Sequence, residues 1–236
     1  MCPLLTRLLL LALMFCESGA SPALAADADH RTLDVEGWTV HVDQRLINDQ
    51  PQQTDRALDL LRDQLRFVKQ SVAPRHLQDL QRVTLWVSPT YPGFGPKAEY
   101  HPSRQWLVDN GRNPAMARCV EFTNVSIFEK EVKRMPCFVL HELAHAYHDQ
   151  VLGYDHKGIN ETYEAARAAG TYEQVKRGDG KIERAYAITN AKEYFAECTE
   201  AYFGQNDFYP FNASELRTHD PAMHRLLQDI WGPVGK

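Results

Sequence analysis

The chain has little cysteine: five residues in 236, with no C-x-x-C pair anywhere. That excludes a cysteine-built zinc site and a densely disulfide-stapled scaffold. It has no excess of positive charge. Twenty-six Lys and Arg face 31 Asp and Glu, for a formal net charge of −5. Such a balance gives no footing for binding nucleic acid or an anionic membrane surface. Long apolar runs are absent as well. The longest, Leu8 to Phe15, falls well short of the ~20 residues that span a bilayer. No internal repeat, low-complexity tract or linker interrupts the chain.

What the first 25 residues do contain fits a secretory signal. Arg7 supplies the positive start, Leu8 to Phe15 the apolar segment, and Ala23-Leu24-Ala25 the small-residue cleavage site before Ala26. Cys16 follows the bulky Phe15, which argues against a lipid-anchor site. The expectation is a protein secreted or held in a periplasm, with residues 26–236 as a single domain and no pro-segment before the first strand. Cys2 and Cys16 leave with the signal. Of the remaining Cys119, Cys137 and Cys198, an oxidising compartment favours a Cys119–Cys137 bridge and one spare thiol. Three free buried thiols is the alternative.

Periodicity outlines the elements. Residues 26–34 are polar and read as a frayed start. Trp38 to Val42 alternates as a strand, and Thr54 to Ser71 repeats apolar residues at helical spacing, with Thr54 as its cap and Pro74 as its stop. Val83 to Val87 reads as a buried strand, followed by a Pro/Gly-rich loop to Pro96. Ala98 to His101 and Ala117 to Phe122 read as short strands. A buried helix runs from Pro136 to Leu152 and stops at Gly153. Residues 161–169 form a short helix, Gly178-Asp179-Gly180 turns a hairpin, and Ala191 to Phe203 makes a second strong helix. Strands precede helices, which is an α+β pattern.

The chemistry sits on the Pro136–Leu152 helix as His141-Glu142-Leu143-Ala144-His145. Two imidazoles four residues apart share one helix face and can grip one metal ion, with a carboxylate between them to act as a base toward metal-bound water. A hydrolytic zinc site takes three protein ligands and keeps a fourth position for water. If the third ligand were a histidine six residues past His145, in the H-E-x-x-H-x-x-G-x-x-H pattern, glycine would stand at 148 and histidine at 151. The chain has His148 and Val151. His148 itself lies ~10 Å along the axis from His141, too far to share a small ion, and is placed beside the site or at the surface. Glu193, opening Glu193-Tyr194-Phe195-Ala196-Glu197 on the second strong helix, is the better third ligand, with Glu197 one turn on to accept the free N–H of a zinc-bound imidazole. On the residues alone, both carboxylates can equally be solvent-facing helix positions.

H-E-L-A-H-A-Y-H-D-Q, followed 48 residues after His145 by E-Y-F-A-E, resembles the catalytic domain of anthrax-lethal-factor-type metallopeptidases, a branch of the gluzincins. The resemblance covers residues 115–205, and the stretch Asn206 to Asn212 is similar to small secreted relatives of that domain. It implies a zincin-like fold, one Zn2+ held by His141, His145 and Glu193, Glu142 as general base, and Glu197 near the zinc shell. It also implies that Tyr186, seven residues before the ligand glutamate, assists at the oxyanion or leaving group. The expected activity is hydrolysis of peptide bonds in a peptide or protein substrate, by a monomer with no nucleic-acid or membrane partner. The chain is too short for the large docking domains of the toxin, so substrate choice does not carry over. Two other functions stay open: a non-catalytic binding protein of zincin shape, and a zinc hydrolase of a non-peptide amide. An extended substrate is expected to pair with an edge strand near Val120 to Thr123. His101 is placed at the surface or in a loop, with the cleft wall as the alternative. Asn124, Asn160 and Asn212 head glycosylation sequons.

Overall fold

The computed structural model describes residues 29–233; the signal read in residues 1–25 lies outside them. The chain opens with a hairpin of β1 (His30–Val35) and β2 (Trp38–Asp43), antiparallel in full register from His30↔Asp43 to Val35↔Trp38. Residues 30–34 of the segment read as a frayed start are therefore strand. Their signal was the Glu36-Gly37 pair, whose φ values of 55° and 97° reverse the chain in two residues. Three helices follow: α1 (Gln44–Asp49), α2 (Pro51–Ser71) and α3 (Pro74–Gln81). Thr54 does not cap α2. Pro51 starts the helix three residues earlier, and the Thr54 hydroxyl donates to the Leu46 carbonyl at 2.9 Å. Pro74 opens α3, as a proline at a helix start can, rather than only ending what precedes it.

β3 (Leu85–Val87), β4 (Ala98–Tyr100), α4 (Arg104–Asp109) and β5 (Val120–Phe122) then complete a five-stranded mixed sheet. Its order is β1-β2-β3-β5-β4. β2, β3 and β5 run parallel; β1 and β4 are antiparallel edges. Period-two alternation divides the two faces. Leu85, Val87, Val120 and Phe122 point into the main core, while Trp86 joins Leu107, Met116 and Cys119 in a small cluster on the other face. Val120 to Phe122, expected near an edge, is interior; the edge strand is β4.

The rest is helical. α5 (Phe128–Arg134) leads into α6 (Phe138–Tyr147), which carries the His-Glu-His motif. Nine of the ten residues of α6 are buried, so hydrophobic neighbours on nearly every side fix its position. It ends in a wide turn, His148–Leu152, and the left-handed Gly153. α7 (Lys157–Ala169), the short hairpin β6 (Val175–Lys176) and β7 (Ile182–Glu183), α8 (Ala191–Phe203), α9 (Ala213–His219) and α10 (Pro221–Trp231) follow. α6 packs on α8, with α2 also against α6. The architecture is α+β. No helix among the described residues is long and apolar enough to cross a membrane.

The expected Cys119–Cys137 bridge is not formed. Cys119, Cys137 and Cys198 are free and buried. Cys119 is enclosed in the Trp86 cluster, whereas Cys137 faces α8's end, where its Sγ accepts the Gln205 N–H at 3.4 Å. Burial pushes the Cys137 thiol up to about 12, so it stays neutral. The three sequon asparagines differ in their surroundings, and only Asn212 is exposed. Asn124 is buried, Asn160 donates to the Tyr154 carbonyl, and Asn212 caps α9.

Candidate metal centre

α6 brings His141 and His145 together on one face, with their Nε2 atoms 3.0 Å apart. α8 supplies Glu193 from the opposite side. Its Oε2 lies 3.2 Å from His141 Nε2 and 3.1 Å from His145 Nε2. The first turn of α8 is held by Asn190, whose side chain accepts the Lys192 and Glu193 N–H groups at 2.9 and 3.1 Å. That cap satisfies backbone donors that α8 leaves open and fixes the turn bearing Glu193.

The three donor atoms form a nearly equilateral triangle. Four ligands at 2.0–2.2 Å around a tetrahedral ion stand ~3.3 Å from one another. The observed triangle is within a few tenths of an ångström of one face of such a tetrahedron. Two imidazole nitrogens and a carboxylate oxygen are also the donor types that borderline divalent ions take. The group His141, His145 and Glu193 could hold one metal ion.

Charge agrees with the geometry. Burial alone would raise the Glu193 pKa, but its contacts with His141 and His145 hold it well below the usual carboxylate range. Burial alone would lower the His141 pKa, but the bonds to Glu193 and Glu200 hold it well above the ordinary histidine value. Two imidazole nitrogens 3.0 Å apart beside one carboxylate oxygen leave a gap that a proton or a metal ion fits.

The triangle lies on the wall of a cleft of about 750 Å³. Ala98 and Tyr100 of β4, Glu142, Tyr154, Ala185 and Tyr186 also line it. Glu142 is oriented by the edge strand: the Tyr100 N–H donates to its Oε2 at 2.8 Å. Tyr186 also faces the cleft. It opens a short 3-10 turn, Tyr186–Thr189, and remains 48% exposed, so its hydroxyl is free to meet a ligand. Burial, with the Glu193 charge adding to it, raises its pKa and keeps it a proton-bearing donor.

Three residues fall differently from their sequence placement. Glu197 is buried, but its nearest oxygen stands 3.8 Å from His141 Nδ1. Glu200 is the closer carboxylate, with Oε1 2.7 Å from the same nitrogen. Its position was readable, because 193, 197 and 200 lie at i, i+4 and i+7 on one helix face. His101 lies in the loop after β4, but not at the surface. It is 3% exposed, stacked on Trp106, with Nε2 2.9 Å from Glu121 Oε2. Glu121 also accepts from Tyr91 and Arg112, and Arg112 reaches on to Glu99 of β4. This buried network ties the loops on both flanks of β4 to the sheet. His148 lies away from the donor triangle, wholly buried between Tyr154 and Phe195, with no hydrogen-bond partner on either ring nitrogen. The Tyr100 amide contact had no sequence signal, since a backbone donor carries no residue identity.

Comparison with known proteins gives no matching family model, no matching curated protein and no matching solved structure.

Proposed function

We propose that this chain is a zinc-dependent metallopeptidase of the gluzincin type, similar to the lethal-factor catalytic domain, acting outside the cytoplasm as its signal-like start suggests. The reading rests on one observation above all. Three donors from two helices converge to the size of one tetrahedral face, 3.0, 3.1 and 3.2 Å apart, beside a base carboxylate at the wall of a cleft. His141, His145 and Glu193 would hold the zinc. A zinc ion held there would supply a water ligand acidified to a pKa of ~7 and Lewis-acid polarisation of a carbonyl.

The chain's own residues do the rest. Glu142, held at one oxygen by the Tyr100 N–H, takes the water proton and passes it to the leaving amine. Tyr186 donates to the oxyanion that develops on the scissile carbonyl. β4, the sheet edge lining the cleft, offers outward backbone groups to an extended peptide. A purely structural metal site has no use for a base at Glu142, which favours an enzyme over a binding protein.

Metal analysis and peptide cleavage on wild type and Glu142→Ala test this reading. One zinc per chain in both, with cleavage of a broad peptide library by wild type alone, is expected. Zinc in both with no cleavage by either would overturn the peptidase reading in favour of a binding protein or a hydrolase of a non-peptide amide. A wild type that takes up no zinc would remove the metal centre itself.

A further inference from the structure

The side of His141 that faces away from the donor triangle is occupied by two buried carboxylates of α8. Glu197 and Glu200 are 1% and 0% exposed. Only one of them engages the ring. Oε1 of Glu200 lies 2.7 Å from His141 Nδ1, within the range of a charge-assisted hydrogen bond. The nearest oxygen of Glu197 is at 3.8 Å, and neither of its oxygens has a hydrogen-bond partner.

We propose that Glu200, seven residues after the third donor, is the positioning residue that sets the tautomer and rotation of His141 for the metal, and that Glu197 is not. The inference rests on the metal-centre reading above and adds to it the residue behind the ligand. An imidazole that presents Nε2 to a cation carries its proton on Nδ1. An acceptor at Nδ1 then locks the ring about its axis and makes Nε2 a better ligand. Glu200 meets that requirement from a fully buried position. It stands two helical turns from Glu193, so one rigid element fixes both a ligand and the brace of a second ligand. Glu197, one turn from Glu193, is the position that spacing alone nominates. The side-chain geometry passes over it.

The same atoms allow one competing arrangement. His141 Nδ1, Glu197 and Glu200 lie within 4.8 Å of one another and could themselves surround a cation. In that case Nδ1 would carry no proton and would be a ligand rather than a donor.

The test is zinc affinity by chelator competition on the full chain, comparing wild type with Glu200→Gln and Glu197→Gln. The absorption spectrum of the cobalt-substituted forms and the melting temperature of the metal-free forms accompany it. Glu200→Gln is expected to weaken zinc binding ~10–100-fold, the usual effect of losing a carboxylate behind a metal-bound histidine, and to shift the cobalt bands. Glu197→Gln is expected to stay within about threefold of wild type by the same measure. Equal melting temperatures of the metal-free proteins would separate this from general destabilisation. Zinc affinity unchanged in Glu200→Gln, or a loss at Glu197→Gln as large, overturns the assignment. So does a second zinc per chain that Glu200→Gln removes. A wild type that binds no zinc sinks the metal centre as well, which distinguishes that failure from a failure of the brace alone. Should Glu200→Gln not fold, nitrogen-detected NMR of zinc-loaded wild type decides. A protonated, slowly exchanging Nδ1 on His141 supports the proposal, and an unprotonated Nδ1 overturns it.

Discussion

At the scale of single residues, histidine shows how neighbours decide its role. His141 and His148 lie seven residues apart on one face, and burial alone would lower the pKa of each. Carboxylates meet His141, and its pKa rises. Nothing polar meets His148, and burial lowers its pKa to about 4. A lowered folded-state value means that the unfolded chain takes up the proton first. The stability held by neutral His148 is therefore complete above pH 6.5 and is lost as pH falls from 6.5 toward 4. The difference of about 2.5 pH units corresponds to ~3 kcal/mol. Urea unfolding of wild type and His148→Leu across that window should show the variant losing less stability by about that amount; parallel curves would refute it. Tyr186 allows a separate prediction for catalysis. On the proposed mechanism, Tyr186→Phe removes one oxyanion donor and should lower kcat ~100-fold, with KM within about twofold, because the bond would form only in the transition state. Steady-state kinetics on one peptide substrate would decide it. A change confined to KM would place Tyr186 in ground-state binding instead.

At the scale of elements, the centre depends on how closely α6 and α8 approach. The end of α8 sets that distance from one side. A Cβ built on Gly204 would lie 2.6 Å from Cys137 Sγ and 2.7 Å from Phe67 Cζ, so the start of α6, α2 and the end of α8 meet where only glycine fits. Gly204→Ala should destabilise the fold by ~1–3 kcal/mol through overpacking, measured by chemical denaturation. Stability equal to wild type would show that this junction yields. Much of the element list was legible. The 191–203 helix has the bounds its periodicity predicts, because Asn190 caps it and apolar residues surround it. The Gly178-Asp179-Gly180 hairpin also formed. The missed elements were β1, too polar on its exposed face to read as a strand, and the short helices α1, α3, α4 and α5, each of six to eight residues and so too brief for helical period to show.

At the scale of the whole molecule, a five-stranded sheet and two buried helices share the main core, and the three residues that could hold a metal ion come from both helices. Binding an ion across α6 and α8 stabilises the folded state alone. At free zinc ~100 times its dissociation constant this adds ~2.7 kcal/mol, or a rise of about 5–10 °C in Tm for a domain of this size. Calorimetry with and without a chelator should show that shift, and Glu193→Ala should abolish it. An unshifted Tm on chelation would mean that no ion links the two helices.

The sequence by itself determined the chemistry-bearing parts: His141, Glu142 and His145 by spacing on one helix, and Glu193 by its place on a second. Helical period is a local property, and four residues of it suffice to align two imidazoles. Only the tertiary structure decided how those parts meet. It set Glu193 at 3.1–3.2 Å from both imidazoles, put Glu200 rather than Glu197 against His141, gave Glu142 the Tyr100 amide, and left the cysteines apart. These contacts join residues 42–59 positions apart in the chain, or backbone groups that carry no residue identity. Packing of one helix against another, and of a sheet edge against both, fixes such distances, and no local pattern encodes them.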